Sequence, residues 1–441
     1  MLAADVRGAR GNEVTELARA DRPQGFQSIL ERNGWLLSDQ VLVSGFNFLT
    51  TAVLARWLGI HAFGVYSVFY IVLFYLNSIQ LSLIASPMMT LAPQLEGASE
   101  RPVFLRGMGT CQYLFSAACC GAVLLLPAAE KLHLLRVRIE SGTLIAFILT
   151  ILCFQAQDWL RRFWYTGECG KKVFFNDVIS YAGQIVILAV LWLAHAVTVT
   201  SAFYAIALTS LAAFVAGARK EDVWGTLEEA WRAARKSWPM GRSLVVANQF
   251  QWLGSQGILL IVAFMVGVNA ASGMRAAITL VGPVNILYQL LDNVIPVRAA
   301  RAFQSGGRAG LSRYLRRSGG MLAALVAIIL LPLAIFARPA MALVFGGSFA
   351  PYAHLLAWQA AYTMLALVYR GLQYYHRTMG TVSILAHSAM VVSVVSVTAC
   401  VLLSRHYGAT GGMAALVIGQ ALNVIVPLFA ARAGKIVPAT R

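Results

Sequence analysis

About a dozen long apolar runs divide this chain of 441 residues, and its basic residues gather in every second gap between the runs. Of 35 Lys and Arg residues, 28 lie in those alternate gaps and 7 lie in the others. A bilayer core is about 30 Å thick, so one helix crosses it with roughly 20 apolar residues, and Lys and Arg concentrate in cytoplasmic loops. The alternation predicts an all-α polytopic membrane protein with about twelve transmembrane helices and with both termini in the cytoplasm.

The apolar runs define twelve predicted spans, which are numbered here in chain order. Composition agrees with this prediction, because 59% hydrophobic residues, 12% charged residues and a mean hydropathy of +0.69 suit a chain solvated mostly by lipid. The predicted spans are 35–58, 62–86, 108–128, 143–163, 174–194, 200–217, 243–265, 274–297, 319–337, 354–376, 382–403 and 411–431.

A charged segment separates two sets of six spans. Its residues Trp224, Trp231 and Trp238 are spaced seven apart, which predicts one face of an amphipathic helix on the cytoplasmic membrane surface, with a solvated linker as the alternative. The predicted divisions are a cytoplasmic polar leader at 1–34, an N-lobe at 35–217, a cytoplasmic amphipathic linker at 218–241, a C-lobe at 242–432 and a cytoplasmic tail at 433–441.

The two sets of spans match weakly at an offset of 209 residues. Gly64 corresponds to Gly273 and Pro87 to Pro296, and the Gly-containing pair at 58–59 corresponds to 266–267 after a slip of one residue. Six helices followed by six in the same orientation form a parallel repeat, and transporters of this kind bind substrate between the halves. We therefore predict two parallel six-helix lobes around a central cavity.

The sequence offers little support for catalysis or for metal binding. Its seven histidines include no HExxH motif, no Gly-rich phosphate loop precedes a Lys-Ser or Lys-Thr pair, and its six cysteines form no CxxC pair. We expect no cofactor, no metal and no enzyme activity. The net charge of +17 is concentrated at membrane boundaries, which favours anionic lipids rather than nucleic acid as a partner.

Polar side chains recur at helical spacing inside several apolar spans. In lipid such side chains must face protein or water, because unsatisfied polar groups there cost several kcal/mol. Amides and aromatic rings suit sugars, whereas ordinary interhelical hydrogen bonding is the alternative role. The amides expected in the substrate cavity are Asn47, Asn77, Gln256 and Gln289, from spans 1, 2, 7 and 8.

Charged residues within the spans supply further candidates. Asp39 and Asp292 are the candidate ion-coupling residues, and Asp292 also belongs to the candidate substrate-binding set, with a structural ion pair as its alternative. Arginine binds phosphate through paired hydrogen bonds, although near a span end it often only snorkels to the interface. The candidate phosphate-binding arginines are Arg56, Arg275, Arg298 and Arg370.

Three short segments at the start of the chain carry a family resemblance. Gly45-Phe46-Asn47-Phe48-Leu49, then Leu54-Ala55-Arg56-Trp57-Leu58-Gly59, then Phe63-Gly64-Val65-Tyr66-Ser67, resemble the beginning of polysaccharide-repeat-unit flippases. That family is the oligosaccharide-lipid branch of a superfamily that also contains multidrug extruders. The resemblance implies two six-helix lobes around a polar, often cationic cavity, alternating access, and coupling to a proton or sodium gradient.

The same resemblance implies the cargo. It would be an undecaprenyl-pyrophosphate-linked oligosaccharide, moved from the cytoplasmic to the periplasmic leaflet of the bacterial inner membrane for O-antigen or exopolysaccharide synthesis, alongside a polysaccharide polymerase and export machinery. Lipid II flippases resemble this pattern less, because they carry two further C-terminal helices and deeper cationic groups in their early spans. The alternatives are a cation-coupled drug antiporter that uses Asp39 or Asp292 and, more weakly, a membrane glycosyltransferase or polymerase.

Overall fold

The computed structural model describes residues 26–95, 99–125, 127, 140–219 and 221–432, so the predicted tail and most of the predicted leader lie outside the described residues. The α-helices are α1 Phe26–Gln80, α2 Ser86–Leu91, α3 Glu100–Val123, α4 Ser141–Thr166, α5 Gly170–Asp177, α6 Gly183–Leu193, α7 Val199–Ala218, α8 Leu227–Leu253, α9 Gly257–Met265, α10 Val268–Val281, α11 Val284–Ile335, α12 Ala337–Phe345, α13 Leu355–Thr378 and α14 Val382–Arg432.

These helices confirm the predicted all-α membrane architecture. Three of them hold more than one span, because α1 turns at Gly59, α11 at Gly306–Gly307 and α14 at Gly408. The stretch Ser38–Gln94 has 57 residues, which at 1.5 Å per residue is roughly 85 Å and far exceeds one bilayer core. Glycine adopts the positive φ of 74° at position 59 without the strain that a side chain would bring, so two antiparallel spans follow from one helix.

Six described helical stretches are long and apolar enough to cross a membrane by length and composition. Two of these stretches contain two predicted spans, while spans 5, 7 and 8 are each built from consecutive helical pieces. The six stretches are Ser38–Gln94, Ser141–Thr166, Gly170–Leu193, Val199–Ala218, Ile295–Ile335 and Ser388–Phe429.

Span 4 lies at the centre of the N-lobe, where it packs against span 6. The Phe147 and Phe203 rings meet edge to face with centroids 5.4 Å apart, and both side chains are buried. The Thr150 hydroxyl donates to the Phe203 carbonyl oxygen at 2.8 Å, and the Thr143 and Thr200 hydroxyls are 2.7 Å apart. Apolar burial contributes little to helix association in lipid, so close packing and such hydrogen bonds hold the spans together.

Span 10 has the equivalent position in the C-lobe. The Tyr288 hydroxyl of span 8 donates to the Thr363 carbonyl oxygen of span 10 at 2.9 Å. At the other end of span 10, His376 Nε2 lies 3.1 Å from the Pro427 carbonyl oxygen of span 12. Span 10 is thereby attached to spans on both sides.

The segment before span 7 is only partly the helix that the tryptophan spacing predicted. A capping box between Thr226 and Glu229 starts the helix at Leu227, so Trp224 precedes it, and its indole stacks on Tyr113 at 4.0 Å. The prediction that Trp224 shares a helical face was wrong, because this cap lies within the seven-residue pattern. Trp231 remains 71% exposed, and the helix continues through Pro239 into span 7.

The two lobes meet at the end that holds the Gly59 and Gly267 turns, here named the outer end because the charge bias predicts that it faces away from the cytoplasm. The Ser272 hydroxyl donates to the Ile60 carbonyl oxygen at 2.7 Å, and His61 Nδ1 lies 3.3 Å from Asn269 Oδ1. We name these contacts the outer seal. The opposite end is named the inner end.

Candidate functional site

The lobes also meet along spans 2 and 7. Asn248 Nδ2 donates to Ser82 Oγ at 2.7 Å, Gln249 Nε2 donates to Ser78 Oγ at 3.4 Å, and the Trp252 ring lies 4.7 Å from that of Tyr75. Some polar side chains of these spans therefore form hydrogen bonds between helices rather than lining a cavity. Interhelical hydrogen bonding, the alternative role, therefore applies to Asn248 and Gln249.

Span 8 differs in exposure between its two halves. In its outer half Ala271, Met274 and Ala277 are completely buried, whereas in its inner half the Asp292 side chain is 41% exposed and Arg298 is exposed. The outer half of span 8 is therefore packed inside the protein, whereas its inner half carries exposed charged side chains. Alternating access requires the outer end to be closed in one of its two states.

A polar cavity of 440 Å³ lies within the C-lobe, among spans 7, 10, 11 and 12. Most hydrogen-bonding groups on its wall are amides, hydroxyls and phenols. The wall also carries one guanidinium group, that of Arg370. We name this space the C-lobe cavity. Its polar lining residues are Gln251, Ser255, Gln256, Tyr362, Tyr369, Arg370, Gln373, Ser393, Ser396, Gln420 and Asn423.

Two polar atoms of residues that line the C-lobe cavity have no hydrogen-bond partner among the described residues. Ser396 Oγ and Asn423 Oδ1 are buried in this state, and Ser396 as a residue is wholly inaccessible. A buried polar atom without a partner costs about 1–3 kcal/mol, and a ligand with hydroxyl groups would recover part of that free energy once a movement of the wall exposed these atoms. Oligosaccharides carry such hydroxyl groups.

Arg370 forms an ion pair with Asp292 at the edge of the C-lobe cavity. Arg370 Nη1 lies 2.5 Å from Asp292 Oδ2, the Tyr374 hydroxyl donates to the other oxygen of that carboxylate, and the guanidinium lies 4.9 Å above the Tyr288 ring. The pair is partly open to solvent, because the Arg370 side chain is 31% exposed. A phosphate could therefore replace the carboxylate without opening the core of the lobe.

A second group of charges is buried in the N-lobe, toward the inner end of spans 1, 4 and 5. Arg161 Nη2 lies 2.6 Å from Asp177 Oδ2 and 3.3 Å from Asp39 Oδ2, and Arg161 Nη1 lies 3.6 Å from Asp158 Oδ1. Arg162 Nε lies 2.8 Å from Asp158 Oδ2. We name these five residues the N-lobe charge cluster.

The N-lobe charge cluster holds three carboxylates and two guanidiniums, so its fully ionised form has one uncompensated negative charge. Asp39 is 2% exposed and Asp177 is wholly buried. The Tyr165 hydroxyl donates to Asp39 at 3.0 Å and the Gln157 amide donates to Asp177 at 2.9 Å, while Asp39 Oδ1 lacks a partner among the described residues. One proton or one monovalent cation would neutralise this cluster.

The backbone changes its winding where this cluster is formed. Asp177 is the last residue of α5, and a π-helical turn at Val178–Ala182 follows it directly. A second π-helical turn, Leu81–Ala85, lies in the inner half of span 2. Such turns widen the helix by one residue and occur often at functional sites.

Among the predicted cavity residues, Asn47 and Arg275 come together near the outer end. The Tyr70 hydroxyl donates to Asn47 Oδ1 at 3.4 Å, and the Arg275 guanidinium lies 5.3 Å from the centre of the Tyr70 ring. Spans 1, 2 and 8 thus contribute one group each. Asn77 instead contacts the N-lobe charge cluster through a hydrogen bond to Asp158.

The other predicted residues are dispersed. Arg56 is exposed and donates to the Leu343 carbonyl oxygen at 2.7 Å, so in this state it joins span 1 to helix α12 rather than facing a cavity. Arg298 is exposed at the inner end, and Gln256 is exposed on the C-lobe cavity. The side chain of Gln289 lies outside the described part of the chain.

Comparison with known proteins gives matches of structure alone. No family model matches the sequence, and no curated protein matches it. One similar structure is described as "Lipid II flippase MurJ, inward closed conformation", with a TM-score of 0.65 and 13% identity, over 88% of this chain and 87% of that chain. A second is a MOP superfamily transporter from Pyrococcus furiosus, with a TM-score of 0.61 and 12% identity, over 92% of this chain and 94% of that chain.

A third similar structure is an outward-facing multidrug resistance MATE family transporter of the MOP superfamily, with a TM-score of 0.58 and 13% identity, over 92% and 94% of the two chains. The chain has the fold of these three structures. The likeness extends over nearly the whole length of each protein, which agrees with twelve spans in two lobes. At 12–13% identity it shows the fold alone.

Sequence reasoning missed the partners in both charged sites. The spacing of Asp158 from Arg161 and Arg162 along one helix predicts that they pair, but it does not join Asp39 and Asp177 to them. The signal that could have joined them was their depth in the membrane, because Asp39 and Asp177 each lie about one turn inside the inner end of their spans. It also missed the contribution of spans 11 and 12 to the C-lobe cavity, since isolated Ser, Gln and Asn residues in those spans form no continuous stripe.

Proposed function

We propose that this chain is a flippase that moves a polyprenyl-pyrophosphate-linked oligosaccharide from the cytoplasmic to the periplasmic leaflet of the bacterial inner membrane, by alternating access and without enzyme activity. The carrying observation is the C-lobe cavity, where neutral hydrogen-bonding groups surround a single arginine. Amides and phenols suit sugar hydroxyls and rings, and arginine suits a diphosphate. The polyprenyl tail would remain in lipid.

In this proposal Arg370 exchanges one anion for another. With no substrate bound its partner is Asp292, at 2.5 Å, and the incoming diphosphate takes the place of that carboxylate. Gln256 and the other cavity amides then hold the sugars, while Asn47, Asn77, Arg275 and Gln289 serve the path between the lobes. Arg56 and Arg298 would contact the headgroup at the two ends of that path.

The test is leaflet exchange in liposomes. The purified protein is reconstituted with fluorescent polyprenyl-diphosphate oligosaccharide, and the rate at which the label reaches the opposite leaflet is measured. Arg370→Gln should lower that rate at least about tenfold, since a lost charge-assisted hydrogen bond costs about 1.5–3 kcal/mol. The matched control is Arg377→Gln, because Arg377 is exposed on the same helix and is not part of the cavity lining.

Unchanged exchange with Arg370→Gln would overturn the role of this arginine. No exchange by the wild-type protein, under conditions where its folding is verified, would overturn the flippase proposal itself. Glycan synthesis by the purified protein, without transport, would instead favour a membrane glycosyltransferase or polymerase. A polysaccharide polymerase and the export machinery are the expected partners in the cell.

The N-lobe charge cluster favours a second candidate, a cation-coupled antiporter for drugs or other small molecules. Its surplus carboxylate, with Asp39 Oδ1 unpartnered among the described residues, offers a place for one proton or sodium ion. In a flippase the same group would couple transport to an ion gradient, and Asp292 is the corresponding candidate in the C-lobe. Drug efflux with unchanged glycan in a deletion strain would decide for the antiporter.

A further inference from the structure

A large groove lies on the side of span 10 that faces away from the C-lobe cavity. It measures 570 Å³ and runs between spans 9, 10 and 12, and most of its lining is apolar. We name it the span 9–10 groove. Its lining residues are Arg308, Ser312, Leu315, Arg316, Gly319, Ala323, Met364, Leu367, Val368, Gly371, Leu372, Tyr375 and Leu428.

Small residues keep this groove open. A Cβ atom added at Gly319 or at Gly371 would meet no atom within 4 Å, so both positions border free space rather than a neighbouring helix. Ala323 extends the same wall by one turn of span 9. An apolar channel of this kind accommodates a hydrocarbon chain, and the surrounding bilayer supplies such chains.

The inner end of the groove is basic. Arg308 Nε donates to the Tyr375 hydroxyl at 2.6 Å and the guanidinium lies 6.0 Å from the centre of that ring, so the arginine is held at the groove mouth. Arg316, which is exposed, and Ser312 line the same space. Two guanidiniums and a hydroxyl beside an apolar channel complement a phosphate that is joined to a hydrocarbon chain.

The groove is separate from the C-lobe cavity in this state. A gap of only 20 Å³ shares Leu367 and Gly371 with the groove and Arg370 with the cavity. A space of that size holds about one water molecule and no hydrocarbon chain. A substrate whose headgroup occupies the cavity therefore cannot place its tail in the groove through this gap.

We propose that the span 9–10 groove binds an anionic glycerophospholipid of the cytoplasmic leaflet, with its phosphate at Arg308 and Arg316 and one acyl chain along Gly319, Ala323 and Val368. This site goes beyond the proposed function, because it is a lipid site outside the transport path. It lies against the face of span 10 opposite Arg370. The lipid composition of the cytoplasmic leaflet can thereby influence span 10, the helix that carries Arg370.

Native mass spectrometry of the purified full-length protein tests this site without any transport assay. The probes are dioleoyl phosphatidylglycerol, the zwitterionic dioleoyl phosphatidylcholine, inorganic phosphate and undecaprenyl phosphate. Gly319→Leu fills the groove, and Gly320→Leu is its control, because a Cβ at Gly320 also meets nothing within 4 Å but this residue is not in the groove lining. Arg316→Gln has Arg317→Gln as its control, since Arg317 is exposed and outside that lining.

More phosphatidylglycerol than phosphatidylcholine should remain bound. Gly319→Leu, which fills the groove, and Arg316→Gln should each weaken the retention of phosphatidylglycerol about fivefold. For Arg316→Gln this corresponds to the loss of one basic contact at a membrane surface. Both control variants should bind as the wild type does. Equal retention of phosphatidylglycerol by Gly319→Leu and Gly320→Leu would overturn the site. Displacement of the lipid by inorganic phosphate would identify a site for free anions. Preferential retention of undecaprenyl phosphate would identify a site for the transport substrate. Either result would overturn the assignment of this groove to a phospholipid.

Discussion

Both carboxylates that the sequence offers as ion-coupling residues are partnered by an arginine from another span. Asp39 of span 1 contacts Arg161 of span 4 at 3.3 Å, and Asp292 of span 8 contacts Arg370 of span 10 at 2.5 Å. The two pairs differ in surroundings, because the first is deeply buried and the second is partly open to solvent. The buried pair is suited to stability and ion coupling, and the open pair to exchange with a substrate anion.

Replacing Arg161 should destabilise the protein severely. Arg161→Gln leaves Asp39 and Asp177 without their counter-ion in a buried site, and breaking a buried ion pair in this way costs about 3–5 kcal/mol. Thermal unfolding of the detergent-solubilised protein measures the loss. The control is Arg162→Gln, because Arg162 is more exposed and contacts Asp158 alone among these carboxylates, so a smaller loss is expected. Equal loss from the two variants would contradict the central role of Arg161.

At this scale the sequence predicted which residues carry charge in the spans but not which of them meet. The local pair of Asp158 with Arg162 follows from a spacing of four along one helix, and such pairs can be read from sequence. The contacts of Arg161 with Asp39 and Asp177 join residues from three spans. They depend on helix rotation and packing, which periodicity in one helix does not determine.

Among the helices, the outer seal depends on close approach at one glycine. A Cβ at Gly64 would lie 2.5 Å from the Val268 carbonyl oxygen and 2.6 Å from Ser272 Oγ, so Gly64→Ala should force the two lobes apart at the outer end. In an Asn269→Cys background free of native cysteines, the rate of alkylation from the periplasmic side should rise about fivefold, given overpacking costs of 1–3 kcal/mol.

The control for this prediction is Gly45→Ala in the same background. A Cβ at Gly45, in span 1, meets nothing within 4 Å, so the substitution changes helix propensity without changing a contact between the lobes. Alkylation should then remain at the rate of the parent protein. An unchanged rate with Gly64→Ala would show that this contact does not hold the outer end closed.

The helix that precedes span 7 is attached to span 3 by a charged contact with a defined pH dependence. The hydrogen bond from Arg106 to Glu229, 2.7 Å long, lowers the pKa of the Glu229 carboxyl below its ordinary value of 4.5. A lowered pKa in the folded state gives stability that is present above the ordinary value and is lost as the pH falls through the lower one.

Acidification should therefore loosen this helix. Hydrogen-exchange protection of residues 227–238, taken relative to the intrinsic exchange rate at each pH, should fall as the pH falls below the ordinary value of 4.5, and Glu229→Gln should show the lower protection already at neutral pH with little further change. Glu228→Gln is the control, because Glu228 is exposed and pairs with Arg232 within the same helix. Wild-type exchange protection that stays constant through this acid range would contradict the assigned contact.

Helix positions were largely predictable, whereas helix starts near charged segments were not. Long apolar runs bounded by basic residues predict spans because bilayer thickness fixes their length. The start of the helix at Leu227 depends on the capping box at Thr226 and Glu229, a local signal that competes with the wider spacing of the tryptophans. The predicted domain divisions at 217, 241 and 432 remain predictions.

For the whole molecule, alternating access requires that the outer seal opens during transport. Joining His61→Cys to Asn269→Cys by a reducible crosslink, in a background without the six native cysteines, should keep the outer end closed and abolish leaflet exchange. Reduction should restore it. Exchange at the full rate while the crosslink is in place would contradict alternating access between the lobes.

The control crosslink lies at the same end but within one lobe. Thr143 and Thr200, whose hydroxyls are 2.7 Å apart, belong to spans 4 and 6 of the N-lobe. A crosslink between Thr143→Cys and Thr200→Cys does not join the lobes, so transport should continue. The two crosslinks together separate the effect of locking the lobes from that of modifying the outer end.

The predicted central cavity between spans 1, 2, 7 and 8 remains a prediction. Some polar groups on those spans bond across spans 2 and 7, while a polar cavity lies in the C-lobe among spans 7, 10, 11 and 12. The relative position of the lobes decides which polar side chains form contacts between helices and which line a cavity. That position changes during transport and is not encoded in any one span.

The two glycines at the outer end have a mechanical consequence. Gly59 and Gly267 have positive φ angles of 74° and 121° with nearly the same ψ, 172° and 162°, so spans 1–2 and spans 7–8 form two hairpins with similar tips. A bend fixed at a single residue holds the helical segments next to it in a fixed relation. The simplest opening motion is therefore a scissoring of one hairpin against the other, in which each tip moves as a rigid unit and carries its arms with it.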